Sequence, residues 1–316
     1  VQGDHITLTK NANYFRAGEG LPAFDRLVFR FPGNDPSDFL QALLVGECDV
    51  VDRTANLSSI VQSVRIAEID GQVNLHLDQG PDWTQLVFGI NPASYDDGYN
   101  FFQDERVNYF EDPLTRKGIS ACLDRNELIR RFYFDMVSVP ESYLVPEHPL
   151  FLEGQEVVTY DPERAMSWLE EAGWRDLGGE TRVAWGVEGV LDGTPLVIDL
   201  AMVMTSQTEQ RESKVNLFTK NLQACGIGVT PILEDPVDLY APGPDGRVFG
   251  RNFDLAQITW MAGSEPPCSL YLFDQIPSAE NFWIGANVGG YKNDTYDLAC
   301  HQARSARPDA LDVYAT

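Results

Sequence analysis

From Pro195 to Val203 the sequence reads as an apolar strand, from Gln207 to Leu222 as a helix with Val215, Phe218 and Leu222 on its inner side, and from Gly228 to Leu233 as a second strand. Strands joined through a helix in this way pair in parallel, since the crossover returns the chain to the same end of the sheet, and such crossovers are right-handed. This one stretch commits the chain to the α/β class, with a sheet that needs helices on its faces.

The remaining punctuation agrees with that class. Asn34-Asp35-Pro36 supplies a cap and a proline for a helix through Phe39, Leu40, Leu43 and Leu44, ending near Gly46. Strands are expected at His5 to Thr9, Arg26 to Phe31, Asp49 to Val51, Val73 to Leu77 and Trp83 to Ile90, with a second helix from Leu57 to Ile69. Asp112-Pro113 starts a helix carrying Ile119, Cys122 and Leu123, and Asp124 caps the next, carrying Leu128, Ile129 and Phe132. Asp161-Pro162-Glu163 opens another, with Ala165, Trp168, Leu169 and Ala172 at i, i+3, i+4 and i+7 and Gly173 at its left-handed end. Phe253 to Trp260 is a further strand, and a last helix begins near Asp294.

A chain of 316 residues is long enough for about two lobes. The turn-rich run from Asn91 to Asn100 marks the expected boundary, giving residues 1–98 to the first lobe, 99–110 to a hinge or crossover and 111–316 to the second.

With 23 Lys and Arg against 48 Asp and Glu, the net charge of −25 repels phosphate polyanions, so no nucleic-acid partner is expected. No apolar run approaches the ~20 residues needed to cross a bilayer. The five cysteines form no CxxC pair, and most read as buried small apolar residues; Cys268 and Cys300 could join in an oxidising compartment, although spacing alone does not fix the pairing.

Enzyme motifs are missing: there is no GxSxG, Walker A loop, HExxH or GxGxxG after a strand. His5, His76, His148 and His301 show no metal-ligand spacing and read as structural. Glu170-Glu171 are neighbours that do not face each other on a helix and read as a solvated face. Asp96, Asp97, Asn100 and Asp104 lack the spacing of a calcium loop. The sequence therefore offers no catalytic residues, metal site or cofactor.

Taken in order, several segments resemble the large extracellular solute-binding proteins of bacterial ABC importers, family 5. They are Ile6 to Asn11 with Tyr14-Phe15, Gly46-Glu47-Cys48-Asp49-Val50, Phe88-Gly89-Ile90-Asn91, Arg116 to Ile119 through Leu123-Asp124-Arg125, and Tyr160 to Ala165 through Glu171 to Trp174. Gly193 to Leu196, Asn221-Leu222, Gly226 to Val229 and Phe253 to Leu255 running to Trp260 follow in the family's order. The resemblance implies lobes of the periplasmic-binding-protein type (type II, Venus-flytrap), here an incomplete first lobe plus most of the second. It implies non-catalytic capture of a small ligand, peptide or oligosaccharide, and delivery to ABC permease subunits. It also implies an extracellular or periplasmic location, free or lipid-anchored through a segment outside this sequence. A second lobe without its returning segment is expected to associate through exposed edges. From other classes, the alternatives are an extracellular hydrolase with paired carboxylates in an interlobe cleft, and a ligand-sensing domain.

Ligands of α/β lobes sit outside the carboxyl ends of strands, which points to Trp260 and the turn that follows it. The resemblance implies a ligand-facing Asp three residues after this tryptophan, pairing with a peptide's ammonium group, and an Arg three residues before it; here these positions are Gly263 and Gln257. An ammonium buried without a carboxylate costs several kcal/mol. Glu265 could substitute through a loop shift. Otherwise a neutral ligand stacked on Trp260 or Trp83, with hydrogen bonds from Gln257, Ser264 and Asn91, fits the polarity better.

Overall fold

The computed structural model describes residues 5–306, except 32, 34, 53, 54, 56, 77–81, 91–106, 147, 205–207 and 262–266. The chain divides into two compact units, Val1–Leu77 and Asp78–Thr316.

In the smaller unit, β1 (His5–Thr9) pairs antiparallel with β2 (Arg26–Arg30), with Ile6 opposite Phe29 and Leu8 opposite Leu27. Every residue of both strands is exposed. Helix α1 (Pro36–Leu44) starts as the sequence requires, because Asp35 accepts a hydrogen bond from the Ser37 amide and Pro36 occupies the first turn. A 3-10 turn at Leu57–Ile60 leads into α2 (Val61–Ile69). Leu40, Val64 and Ala67 form the unit's small core. Two expected strands are corrected here: Asp49–Val51 and the described residues 73–76 are not in strands, and Val50 is exposed. Such short apolar runs form strands only where a partner edge receives them, and the ladder of this unit contains β1 and β2 alone among the described residues.

In the larger unit, β3 (Asp82–Phe88) is followed by α3 (Pro113–Cys122), α4 (Arg125–Tyr133) and α5 (Pro162–Glu171). Asp112, Asp124 and Asp161 each accept a backbone amide at a helix start, from Leu114, Glu127 and Arg164. Next come β4 (Trp174–Arg175), β5 (Val183–Ala184), β6 (Val197–Val203), α6 (Thr208–Ala224), β7 (Gly228–Glu234), the single turn α7 (Pro236–Leu239), β8 (Leu255–Met261) and α8 (Asp294–Ser305).

The four-stranded sheet has the order β3-β8-β6-β7. β6 runs parallel to β7 and β8, and β3 is antiparallel to β8, so the strand-helix-strand unit at Pro195–Leu233 pairs as its spacing requires. The strand at Asp82–Phe88, assigned from sequence to the first lobe, is an edge of this sheet and falls in the larger unit. Tyr109 and Phe110, at the end of the 99–110 segment, are buried in the core of that unit.

One sheet face carries Ile198, Leu200, Met202 and Leu255 against helix residues Ile119, Leu169 and Leu222. The other carries Ala201, Val203, Ala256 and Ile258 against Leu239, Val248 and Val288. Helices α3 and α5 cross closely at Gly118, where an added Cβ would lie 2.8 Å from Leu169 Cγ. Trp174 is wholly buried, and its indole nitrogen donates to Thr115 Oγ1 at 3.0 Å. Glu170 and Glu171 are exposed, as a solvated face requires, and the Glu170 carboxylate also accepts from Arg175 at 2.7 Å and from the buried Arg182 at 3.0 Å. The hydrogen bond from Arg175 leads in drawing the Glu170 pKa down.

Two disulfides close the unit, Cys122–Cys225 and Cys268–Cys300. The first corrects the reading of those cysteines as unpaired small apolar residues, and the second is the pair that spacing left open.

Candidate functional site

At the end of β8, Trp260 stands directly opposite Trp83 of β3. Side chains alternate along a strand, and residues opposite each other in an antiparallel pair share a face. Trp260 therefore lies with Ala256 and Ile258, and Trp83 lies with Gln85 and Val87 on that same face.

A pocket of about 230 Å³ opens beside these strands. Trp260, Gln85 and Phe88 of the two strands line it together with Tyr271, Asn287 and Tyr291. The 286–291 loop is brought against β3 by backbone contact: Ile90 N donates to Gly289 O at 2.7 Å, and Arg251 Nη2 donates to Ile90 O at 3.0 Å. Only a residue without a side chain fits there. A Cβ on Gly289 would lie 2.9 Å from Val87 Cγ1, and one on Gly290, whose φ is +69°, would lie 2.2 Å from Ile90 O.

The polar groups of the pocket divide into those already used and those still available. Asn287 is used as a brace: its Nδ2 donates to the carbonyls of Tyr271, Leu272 and Tyr291, and its Oδ1 accepts from Tyr291 N. Arg116 is used at the start of α3, donating to the carbonyl oxygens of Phe110 and Glu111. Gln85 Oε1 accepts twice, from Tyr271 Oη at 3.1 Å and from Trp83 Nε1 at 3.3 Å. Among the described residues no carboxylate lines the pocket.

Burial raises the pKa of Tyr271, an effect opposed by the hydrogen bond to Gln85, so at neutral pH the phenol keeps the proton that it donates. Tyr143 and Tyr296 are raised by burial as well. Tyr271 and Tyr296 meet edge-on with centroids 6.4 Å apart, as do Tyr291 and Tyr296 at 5.9 Å, which makes the pocket's outer wall a packed aromatic array.

Of the residues singled out by sequence, Trp260 lines the pocket and Trp83 braces it through Gln85. Gln257 lies opposite Leu86, on the other sheet face with Leu255, and its buried Oε1 has no hydrogen-bond partner among the described residues. Residues three apart in an extended strand point in opposite directions, so Gln257 and Trp260 do not converge on one ligand. Asn91, Gly263, Ser264 and Glu265 lie outside the described residues, as do Asp96, Asp97, Asn100 and Asp104. Sequence reasoning missed Gln85, Tyr271 and Tyr291; the alternation that places Trp83 on this face also places Gln85 there, so that residue was within reach. Among the described residues no group of His, Cys, Asp and Glu is arranged to hold a metal ion.

A mixed α/β unit with an aromatic pocket beside its paired strands has the kind of concave, mostly apolar setting in which such folds hold small molecules. A family model for bacterial extracellular solute-binding proteins, family 5 middle, matches residues 1–278, and the chain belongs to that family.

The nickel-binding periplasmic protein of Escherichia coli (strain K12) is 27% identical over 169 residues, covering 53% of this chain and 30% of that protein. The oligopeptide-binding protein AppA of Bacillus subtilis (strain 168) is 22% identical over 309 residues, covering 96% of this chain and 49% of that protein. NikA from Brucella suis, solved in complex with Fe(III)-EDTA, aligns with a TM-score of 0.69 at 19% identity, over 99% of this chain and 56% of that one. An oligopeptide-binding protein from Thermus thermophilus, solved with a pentapeptide, aligns with a TM-score of 0.64 at 20% identity, over 100% of this chain and 52% of that one. These structural likenesses speak for the fold, which is of the periplasmic-binding-protein type. The chain spans about half the length of these relatives or less.

Proposed function

We propose that this chain is the ligand-holding part of a solute-binding protein that serves an ABC importer, and that its pocket takes a neutral, ring-bearing solute such as an oligosaccharide. The observation that carries the ligand class is the pocket itself: aromatic walls from Trp260, Tyr271 and Tyr291, with no carboxylate in the lining among the described residues. A peptide's free ammonium placed there would lose its water shell without gaining a counter-charge from the described lining. A sugar ring presents apolar C–H faces to aromatic walls and hydroxyl groups to the polar atoms between them.

The partner is a membrane permease of the importer, and the site of action is outside the cytoplasmic membrane, with or without a lipid anchor. Two disulfides support an oxidising compartment. Among the described residues no helix is long and apolar enough to cross a membrane. The ligand is held and released unchanged, since binding rather than turnover is what a carboxylate-poor aromatic pocket provides.

The test is native mass spectrometry of the full-length protein purified without added ligand. A retained neutral mass in the sugar range is expected, and it should disappear in Trp260→Ala. A retained zwitterionic peptide would overturn the ligand class.

A further inference from the structure

The hydrogen bonds of Gln85 say more about the ligand than the shape of the pocket does. A carboxamide has one acceptor end and one donor end, and Tyr271 Oη and Trp83 Nε1, which both reach Gln85, are donors. The indole nitrogen can only donate, so the oxygen of Gln85 must face it, and the phenol, which can donate or accept, then donates to that same oxygen. Rotating the amide by half a turn would set its own protons against the indole N–H of Trp83. The nitrogen Nε2, with two protons, is therefore the end of the side chain left for whatever fills the pocket that Gln85 lines.

We infer that Gln85 is the specificity-determining residue of this pocket, locked by Tyr271 and Trp83 so that its amide nitrogen donates to a neutral ligand's hydroxyl or carbonyl oxygen. The inference rests on the proposed function above and sharpens it, because the ligand must offer an acceptor at the depth of Gln85 while its ring lies against Trp260. Two neighbouring polar groups are already engaged. Asn287 spends both ends of its amide on the 271–291 loop, and Arg116 is engaged by Phe110 and Glu111. A ligand group that only donates would meet the Nε2 protons head-on, and an ammonium would meet them with no carboxylate in the described lining.

The variant that isolates the nitrogen is Gln85→Glu. The new carboxylate still accepts from Tyr271 and Trp83, so the lock survives while the donor end becomes an anion. Titration calorimetry of the full-length protein with cellobiose and with tri-alanine separates the possibilities. The wild type should bind cellobiose in preference to tri-alanine. The variant, with its melting temperature checked against the wild type, should bind cellobiose about tenfold more weakly or worse, the cost of leaving one buried polar group unpaired. Equal cellobiose affinity in the two proteins overturns the role of Gln85 and leaves the ligand class standing. Preference of the wild type for tri-alanine, or binding of neither probe, overturns the ligand class and the inference with it.

Discussion

Glu111 shows how a single side chain in this protein sets a pH dependence. Its pKa is raised above 4.5, first because burial disfavours its charge and next because Glu188 repels it, and the hydrogen bond from Asn108 only partly offsets these effects. That bond, from Asn108 Nδ2 to Glu111 Oε2 at 2.9 Å, holds the side chain in place. A carboxyl group with a raised pKa in the folded state binds its proton more tightly there than in the unfolded chain. Its contribution to stability is then full below about pH 4.5 and is lost as pH rises through the raised folded value. Glu111→Gln keeps an acceptor for Asn108 and cannot ionise. Its melting temperature should therefore match or exceed that of the wild type at pH 7, and the difference should shrink as pH falls below 4.5. Thermal denaturation from pH 4 to 8 checks this, and a variant less stable than the wild type at pH 7 would show that the carboxylate is held by groups that favour its charge.

At the scale of elements, the Cys268–Cys300 disulfide ties the short turn Cys268–Tyr271 to α8, and Leu272 is buried beside it. Tyr296 of the same helix donates to Cys268 O at 2.8 Å, which fixes the turn from a second direction. A loop of 32 residues closed in this way is worth about 3–4 kcal/mol on the chain-entropy account. The double variant Cys268→Ala, Cys300→Ala should lose about 2–4 kcal/mol in chemical denaturation. It should also weaken ligand binding, because Tyr271 stands on the tied turn; binding unchanged from the wild type would mean that the turn keeps its shape through Tyr296 and Asn287 alone. These elements also show where sequence reasoning succeeds. Asp35, Asp112 and Asp161, each followed by proline, announced three helices because a side-chain acceptor and a fixed φ at a helix start are local causes. The 203–228 crossover was readable for the same reason, since helix length dictates a parallel return. What failed was non-local. Asp49–Val51 needed to pair with a strand edge, and among the described residues β1 and β2 pair with each other alone, while Cys122 met Cys225 across a separation of 103 residues that no spacing rule reaches. The resemblance put Gln257 at the ligand together with Trp260, whereas the pleat of β8 sends the two to opposite faces.

For the whole molecule, the division at Leu77 and Asp78 separates two units of unequal self-sufficiency. In the larger, a four-stranded sheet is buried on both faces, and its core includes Trp174, Phe110, Phe253 and a row of leucines with almost no exposure. In the smaller, the buried apolar side chains among the described residues are Leu40, Ala42, Val61, Val64 and Ala67, and both of its strands lie exposed with Ile6, Leu8, Leu27 and Phe29 among them. So small a cluster gives this unit little apolar burial with which to fold alone. The larger unit, by contrast, has a sizeable core cluster on each face of its sheet and is further closed by two disulfides. A polypeptide of residues 78–316 should therefore unfold in a single sigmoidal transition with a native near-ultraviolet circular dichroism signal, while residues 1–77 made alone should give neither. A cooperative transition in the isolated 1–77 segment would mean that the exposed β1–β2 ribbon supplies stability that its burial does not account for. Ligand binding measured on 78–316 alone would then separate what the pocket around Trp260 and Gln85 contributes from what the rest of the protein adds to it.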